Sequence, residues 1–201
     1  MASILKVDTI QDQSGNNIIN ENADTITIGA SGDTVTIPTG ASLTVPSGGL
    51  SGQNYPAFEA YLSAAQTFTN DTTVKVNFDT ETFDSDGCYD NATNYRFTPT
   101  VAGKYFVYST LQLDGRSNAN LNIANIQIHK NGSAYKELQY YFISNYIRQV
   151  STATNAIIDM NGSTDYIEIY AYISMISGAL DARLTGGSNK QAAFGAYRIG
   201  S

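Results

Sequence analysis

Two residue types that often carry catalysis occur once each in this sequence, as His129 and Cys88. His129 follows Ile126 and Ile128 in alternation, so it is predicted to face away from a sheet core, as an ordinary surface residue. A catalytic triad or a zinc site needs further partners that the sequence does not supply. Cys88 lies among acidic residues, where nothing basic lowers the pKa of its thiol, and we expect a small, partly buried side chain. The sequence therefore predicts a protein that is not an enzyme.

An acidic run suggests a cation site instead. It comprises Asp79, Glu81, Asp84, Asp86 and Asp90. Calcium takes about six to eight oxygen ligands, and Asp84 and Asp86 could offer two carboxylates and a carbonyl from one turn. We interpret them as candidate calcium ligands, with a solvated acidic loop as the alternative, because the other ligands of an EF-hand loop are missing. Paired carboxylates also cleave glycosides, but one flexible loop fixes no separation between them.

Tyrosines form two groups with different predicted roles. Along residues 164–174, an apolar set that suits a core (Ile167, Ile169, Ala171, Ile173) alternates with a set predicted to form a subunit interface (Tyr166, Tyr170, Tyr172). A second group is the candidate ligand contact, because tyrosine offers a large contact area at low entropic cost. It comprises Tyr140, Tyr141 and Tyr146. The alternative is that these are core or interface aromatics.

Composition restricts the classes of partner. The chain has 201 residues and a formal net charge of -7, with only 11 Lys and Arg, so a nucleic-acid partner is not expected. No apolar run reaches the roughly 18 residues of a membrane span, so we expect no membrane insertion. The first residues lack the pattern of a secretory signal. A single cysteine cannot form an intrachain disulfide, so stability must come from packing and association.

Residues 25–45 contain three short alternating segments punctuated by Gly, Pro and Ser. Strands this short are marginal in water, and the simplest way to cover their apolar side chains is to wind several copies of the chain together. We therefore predict a β stem that is ordered only as a trimer. Its inward side chains are Ile26, Ile28, Val35, Ile37, Leu43 and Val45.

The chain divides into three predicted parts. Residues 1–22 are an extended leader that serves as an anchor, with apolar contacts at Ile4, Leu5, Val7 and Ile10. Residues 23–52 are the repeat stem and linker. Residues 53–201 are an all-β domain, with strands predicted at 57–62, 73–78, 95–98, 103–113, 123–130, 134–142, 146–158, 164–174 and 193–199. Asn131-Gly132 and Asn161-Gly162 are predicted hairpin turns.

Residues 55–199 resemble the globular C1q-like domain. The residues that carry this resemblance are Phe97 with Gly103 and Tyr105, the turn Lys130-Asn131-Gly132, the strand Asp165-Tyr166-Ile167-Glu168-Ile169, and the closing strand from Phe194-Gly195 to Ile199. The resemblance implies a TNF-like jelly-roll sandwich that assembles as a homotrimer. It also implies function through binding rather than catalysis, and some members hold calcium near the trimer axis.

The leader and stem resemble the N-terminal half of bacteriophage tail-fibre and related virion proteins. The matching residues are Leu5-Lys6-Val7-Asp8-Thr9-Ile10, Ser14-Gly15 and the Thr-Ile-Thr-Ile repeats. The leading interpretation is a homotrimeric fibre or spike on the virion exterior. Its N-terminus would join other virion proteins, and its knob would bind a host-surface saccharide or protein through loops farthest from the stem. The alternatives are a capsid decoration or head-fibre protein and a bacterial C1q-like adhesion module.

Overall fold

The computed structural model describes residues 9–11, 13–15, 17–22, 25–29, 31–43, 55–116, 120–176 and 181–200. The chain divides into two compact units, Met1–Leu50 and Ser51–Ser201. Across the described ranges every regular element is a β-strand. These ranges contain no helix that is long and apolar enough to cross a membrane. The all-β prediction is confirmed for these residues.

The first unit contains a small antiparallel sheet of three strands, β1 (Thr9–Gln11), β2 (Asn17–Asn22) and β3 (Thr25–Ile28), in that order. Ile10 pairs with Ile19, and Ile19 pairs with Ile28, so three isoleucines form one row across the sheet. The predicted division between residues 22 and 23 falls between β2 and β3. The end of the leader and the first repeat therefore share one sheet.

The second and third repeats form no strand in the single chain, and their order within a trimer stays a prediction. Residues 33–38 and 41–43 have no regular structure, and the side chains of Val35, Ile37 and Leu43 are exposed. A strand requires a hydrogen-bonded neighbour, and no partner strand pairs with these residues in the described part of the single chain. Val45 lies outside the described residues, as do Ile4, Leu5 and Val7.

The second unit is a sandwich of short and long strands. They are β4 (Ala57–Tyr61), β5 (Gln66–Phe68), β6 (Thr73–Lys75), β7 (Thr80–Asp84), β8 (Tyr89–Asp90), β9 (Arg96–Phe97), β10 (Gly103–Asp114), β11 (Leu121–Lys130), β12 (Ser133–Tyr141), β13 (Gln149–Met160), β14 (Ile167–Met175), β15 (Ala182–Leu184) and β16 (Ala193–Gly200).

Two antiparallel sheets make up this sandwich. The β10 sheet has the order β5-β15-β10-β16-β4-β7. β16 and β15 pair with successive parts of one edge of β10, and β13 pairs along the whole of the opposite edge. The β11 sheet has the order β12-β11-β14-β9-β8, with β6 also paired to β14. Strands that follow one another in the chain often lie in different sheets, as in a jelly roll.

The core lies between the inner faces of the two sheets. Phe58 of β4 stacks on Tyr89 and on Phe97, with ring centroids 4.6 Å apart in both pairs, and Phe194 meets Phe58 edge-on at 4.8 Å. Ile167, Ile169, Ala171 and Ile173 are fully buried, which confirms the inward face predicted for residues 164–174. The alternation of this strand therefore reports correctly which side chains face the core.

One predicted hairpin is confirmed and the other is wrong. Asn131 and Gly132 both have positive φ, 53° and 77°, and join the paired strands β11 and β12. Asn161-Gly162 instead connects β13 of one sheet to β14 of the other. The Asn161 side-chain oxygen accepts the backbone N–H groups of residues 163–165, and this local turn carries the chain across the end of the sandwich.

The sandwich has two distinct ends. One end holds the start of β4 and the start of β10. Ala57 pairs there with Tyr197, which in turn pairs with Phe106. The opposite end, called the distal end below, holds the end of β10, where Asp114 pairs with Gln149 at the start of β13. The end of β12 and the connection 142–148 also lie there, since Tyr141 pairs with Ile123.

Candidate ligand-binding and association surfaces

The outer face of the β11 sheet brings together tyrosines from both predicted groups. Ala124 and Ile126 are fully buried between the sheets, so the intervening Asn125 lies on the outer face. Asn125 pairs with Gln139 on one side and with Tyr172 on the other. Tyr141 lies two residues after Gln139 on the same face and is 61% exposed. Tyr141 and Tyr172 therefore flank Asn125 near the distal end.

Hydrogen bonds hold Tyr172 beside a carboxylate. Its hydroxyl donates to Asp71 Oδ1 at 3.1 Å, and Asn70 Nδ2 donates to Asp71 Oδ2 at 2.8 Å. The Asn70 side-chain oxygen accepts the Met175 backbone N–H at 2.9 Å. Burial raises the pKa of Tyr172, and the bond to Asp71 raises it further. The tyrosine is therefore a neutral donor locked onto an exposed carboxylate.

Asn125 is a buried polar residue between these two tyrosines. Its side chain is 1% exposed, and its Nδ2 donates to Gln139 Oε1 at 2.8 Å and also to the Glu137 carboxylate. A buried amide that is hydrogen-bonded to its neighbours fixes their orientation. Gln139 and Glu137 are thus held in defined positions on this face.

The other predicted interface tyrosines already have partners within the chain. The Arg96 guanidinium lies 4.5 Å from the Tyr166 ring centroid. Tyr170 stacks on His129 at 4.1 Å, and its hydroxyl donates to Glu168 Oε2 at 3.3 Å. Their rings are therefore partly covered by side chains of the same chain.

His129 lies on the outer face, as predicted, but it is half buried beneath this stack. Its Nε2 is 2.7 Å from Gln127 Oε1, and burial lowers the pKa of its imidazole. Its side-chain contacts with Gln127 and Tyr170 are with an amide and a phenol ring, neither of which belongs to a hydrolytic triad. His129 therefore packs and fixes the orientation of Tyr170.

The three tyrosines predicted to contact a ligand do not share one surface. Tyr140 alternates with Tyr141 along β12, so it lies on the other side of the strand, where its ring is parallel to that of Phe142 at 6.3 Å. Tyr146 is half buried in the connection 142–148 at the distal end. Of the three, Tyr141 alone stands on the outer face beside Tyr172.

A buried carboxylate organises the distal end, and no sequence signal marked it. Asp114 is fully buried and accepts the Arg116 backbone N–H at 2.7 Å. It also accepts a hydrogen bond from Arg183 Nη2, and Arg148 Nε lies 3.7 Å from it. These contacts tie together three segments that are far apart in sequence. Asp114 therefore supports the connections around the end of β12.

The candidate calcium ligands form a tight turn. Asp84 Oδ1 accepts the Asp86 N–H at 3.3 Å, and Asp84 Oδ2 accepts the Tyr89 N–H at 2.8 Å. Among the residues that the structure describes, no three His, Cys, Asp or Glu side chains come close enough to hold a metal ion. Cys88, in the same turn, is 5% exposed, and burial raises the pKa of its thiol. Both Asp84 oxygens thus serve the backbone.

An aromatic patch on the outer face of the β10 sheet was not identified from the sequence. Phe106 pairs with Ile157 on one side and Tyr197 on the other. The Phe106 ring lies 5.5 Å from Tyr197 and 6.2 Å from Tyr108. Ile157 is 56% exposed and Tyr197 is 38% exposed. The alternation of Phe106 and Tyr108 with the buried Tyr105 and Val107 is the signal that could have revealed it.

Comparisons with known proteins give similarity at the level of fold. No family model matches the sequence, and no curated protein matches it either. Solved structures do match: TNF Eiger of S. frugiperda is 11% identical, with 72% of this chain and 92% of that chain covered and a TM-score of 0.50. Murine APRIL at pH 5.0 is 9% identical, with 71% and 99% covered and a TM-score of 0.50.

The globular domain of zebrafish complement 1qA is 14% identical over 72% of this chain and 97% of that chain, with a TM-score of 0.49. At such identities the likeness concerns the path of the chain alone. The two matches with a TM-score of 0.50 show a TNF-like jelly-roll fold, which agrees with the fold that the C1q-like resemblance implies.

Proposed function

We propose that this protein is a homotrimeric structural protein of a bacteriophage virion, a tail fibre or spike, whose jelly-roll unit contacts the host surface. The N-terminal residues would join other virion proteins, and the first unit would form a thin shaft. The C1q-like resemblance supports three copies, and the fibre-like N-terminal sequence supports the virion location.

The observation that carries self-association is the row Ile10-Ile19-Ile28 in the first unit. These side chains are 40%, 37% and 57% exposed. A small isolated sheet is marginal in water, and each apolar Å² that becomes buried contributes about 25 cal/mol. Neighbouring copies of the same sheet would cover this row and stabilise all three strands.

The globular unit offers a second association surface. We place it on the outer face of the β10 sheet, around Phe106, Tyr108, Ile157 and Tyr197. Aromatic side chains are enriched at the centres of protein interfaces. Tyr166 and Tyr170, by contrast, are already partly covered within the chain.

Cysteine cross-linking tests the shaft. In a Cys88→Ser background, Ile19→Cys places one thiol on the isoleucine row, and Thr9→Cys places one on the opposite face. We expect rapid disulfide-linked dimers from Ile19→Cys in dilute full-length protein and few from Thr9→Cys. Equal cross-linking by the two variants, or none by Ile19→Cys, would contradict the proposed shaft.

Deletion of residues 1–22 tests the virion anchor, but it also removes β1 and β2. The matched variant therefore keeps residues 9–28 and replaces Ile4, Leu5 and Val7 by serine. We expect a folded oligomer that no longer joins particles. Incorporation at the normal copy number would contradict the anchor. If the protein instead localises to capsids, and its loss makes them fragile to heat, the decoration function replaces the tail-fibre function.

A further inference from the structure

We propose that the outer face of the β11 sheet at the distal end is a binding site for an uncharged saccharide, built from Tyr141, Tyr172, Asp71 and Gln139. The inference deepens the proposed function, on which it rests for the source of the saccharide. It replaces the sequence-predicted group of Tyr140, Tyr141 and Tyr146 by residues that share one face.

Tyr141 supplies the stacking surface. Its side chain is 61% exposed on the last residue of β12, so a face of its ring is open to solvent. The face of an aromatic ring is electronegative and attracts the slightly positive C–H groups on the flat side of a sugar ring. Tyr172, across Asn125, bounds the same surface on its other side.

Asp71 and Gln139 supply complementary polar groups for hydroxyls. Each Asp71 oxygen accepts one hydrogen bond, from the Tyr172 hydroxyl or from Asn70 Nδ2. A carboxylate has about four acceptor positions, so Asp71 can accept from further hydroxyls. Gln139 uses its oxygen for Asn125, which turns its amide NH₂ towards other acceptors as a donor. A hydroxyl both donates and accepts, and this pair can serve both roles.

These groups are held in place before any ligand arrives. Asn125 is 1% exposed and fixes Gln139 from below, while Asn70 connects Asp71 to the Met175 backbone N–H at 2.9 Å. Groups that are already ordered lose little entropy on binding, which favours affinity for a weakly held ligand. A surface of freely rotating polar side chains would lack this advantage.

Charge selects against acidic ligands. The site contains the carboxylate of Asp71, with Glu137 beside Asn125, and none of its four residues is basic. The whole chain carries a net charge of -7. A phosphate- or uronate-bearing polymer would be repelled at short range, whereas an uncharged saccharide carries only hydroxyl and amide groups.

The test compares two exposed tyrosines at opposite ends of β12. Tyr141→Ala removes the stacking ring, and Tyr135→Ala removes a ring that is 52% exposed and whose hydroxyl donates to Ile157 O at 3.3 Å. The probes are immobilised hexose and N-acetylhexosamine oligosaccharides, with polyuronate and polyphosphate as acidic counterparts. The full-length wild-type chain should bind at least one uncharged probe and neither acidic probe.

Tyr141→Ala should weaken that binding by about tenfold or more, while Tyr135→Ala should stay within about twofold of wild type. Tyr172→Phe should give an intermediate loss, because Asp71 then loses one partner. Periodate oxidation of the bound probe should abolish binding. The inference is overturned if no uncharged probe binds, if the acidic probes bind better, or if the two alanine variants behave alike.

The same preparation separates this inference from the proposed function. Sedimentation gives the mass of the assembly, and particle labelling gives its location. A trimer located on virions that binds no saccharide overturns the inference alone. A monomeric chain that binds an uncharged probe through Tyr141 overturns the proposed function alone.

Discussion

Gly195 is the residue on which the aromatic patch of the β10 sheet depends. It pairs with Tyr108, whose ring lies over it and whose hydroxyl donates to Glu59 Oε2 at 3.0 Å. A Cβ at position 195 would overlap this ring. Gly195→Ala should therefore lower the free energy of unfolding by roughly 1–3 kcal/mol, measured by urea denaturation. Gly200→Ala is the control, because a Cβ there meets no atom within 4 Å. Equal stability of the two variants would contradict this packing.

Asp90 makes the free energy of unfolding of the globular unit depend on pH in the acid range. Its carboxylate accepts the backbone N–H groups of Thr93 at 2.8 Å and of Ala92 and Asn94 at 3.1 Å. These bonds, that of Thr93 first, lower its pKa from 3.8 to about 2. A lowered carboxyl pKa stabilises the folded state above pH 4, and this contribution is lost as the pH falls towards 2.

The urea midpoint of the wild type should therefore fall between pH 4 and pH 2, and Asp90→Asn should remove part of that fall while lowering the midpoint at pH 7. Asp86→Asn is the control, because no hydrogen bond to its carboxylate is found in the described residues. An unchanged pH dependence in Asp90→Asn would show that this loop does not couple to acid unfolding.

At the scale of elements, an ion pair attaches the short strand β6 to β14. Lys75 of β6 lies 2.5 Å from Glu168 Oε1, and the Glu168 side chain is only 5% exposed. Lys75→Met leaves a buried carboxylate without its cation and should cost roughly 3–5 kcal/mol of unfolding free energy. The matched change is Lys104→Met, which breaks a pair with Asp159 whose side chains are 52% and 78% exposed. It should cost at most about 1 kcal/mol. Similar losses in the two variants would contradict this difference.

At the scale of the whole molecule, the aromatic patch predicts how the globular units associate. Ile157→Asp places a charge beside Phe106 and should lower the sedimentation mass of the full chain, or raise the concentration at which it dissociates, by at least about tenfold. Ile143→Asp is the control, because Ile143 is 69% exposed in the connection at the distal end. An unchanged mass in Ile157→Asp, or an equal effect of Ile143→Asp, would rule out this face.

The sequence alone determined the features that depend on neighbouring residues. Alternation along residues 164–174 identified the buried set from Ile167 to Ile173, and Asn131-Gly132 identified the β11–β12 hairpin. Both follow from local geometry, because side chains alternate in any strand and only certain residues accept positive φ. The short strands β5, β7, β8 and β15 were not predicted, because an alternation of apolar and polar residues is hard to recognise over two to five residues.

Only the tertiary structure decided which strands are neighbours. Asn161-Gly162 is the same residue pair as in the Asn131-Gly132 hairpin, yet it joins strands of different sheets, because β13 pairs with β10 and β14 pairs with β11. Tyr141 and Tyr172 are 31 residues apart in the chain and share one face because β11 lies between their strands. Asp114 likewise meets Arg183 across 69 residues. Pairing between distant strands depends on the packing of the whole core, and no local pattern encodes it.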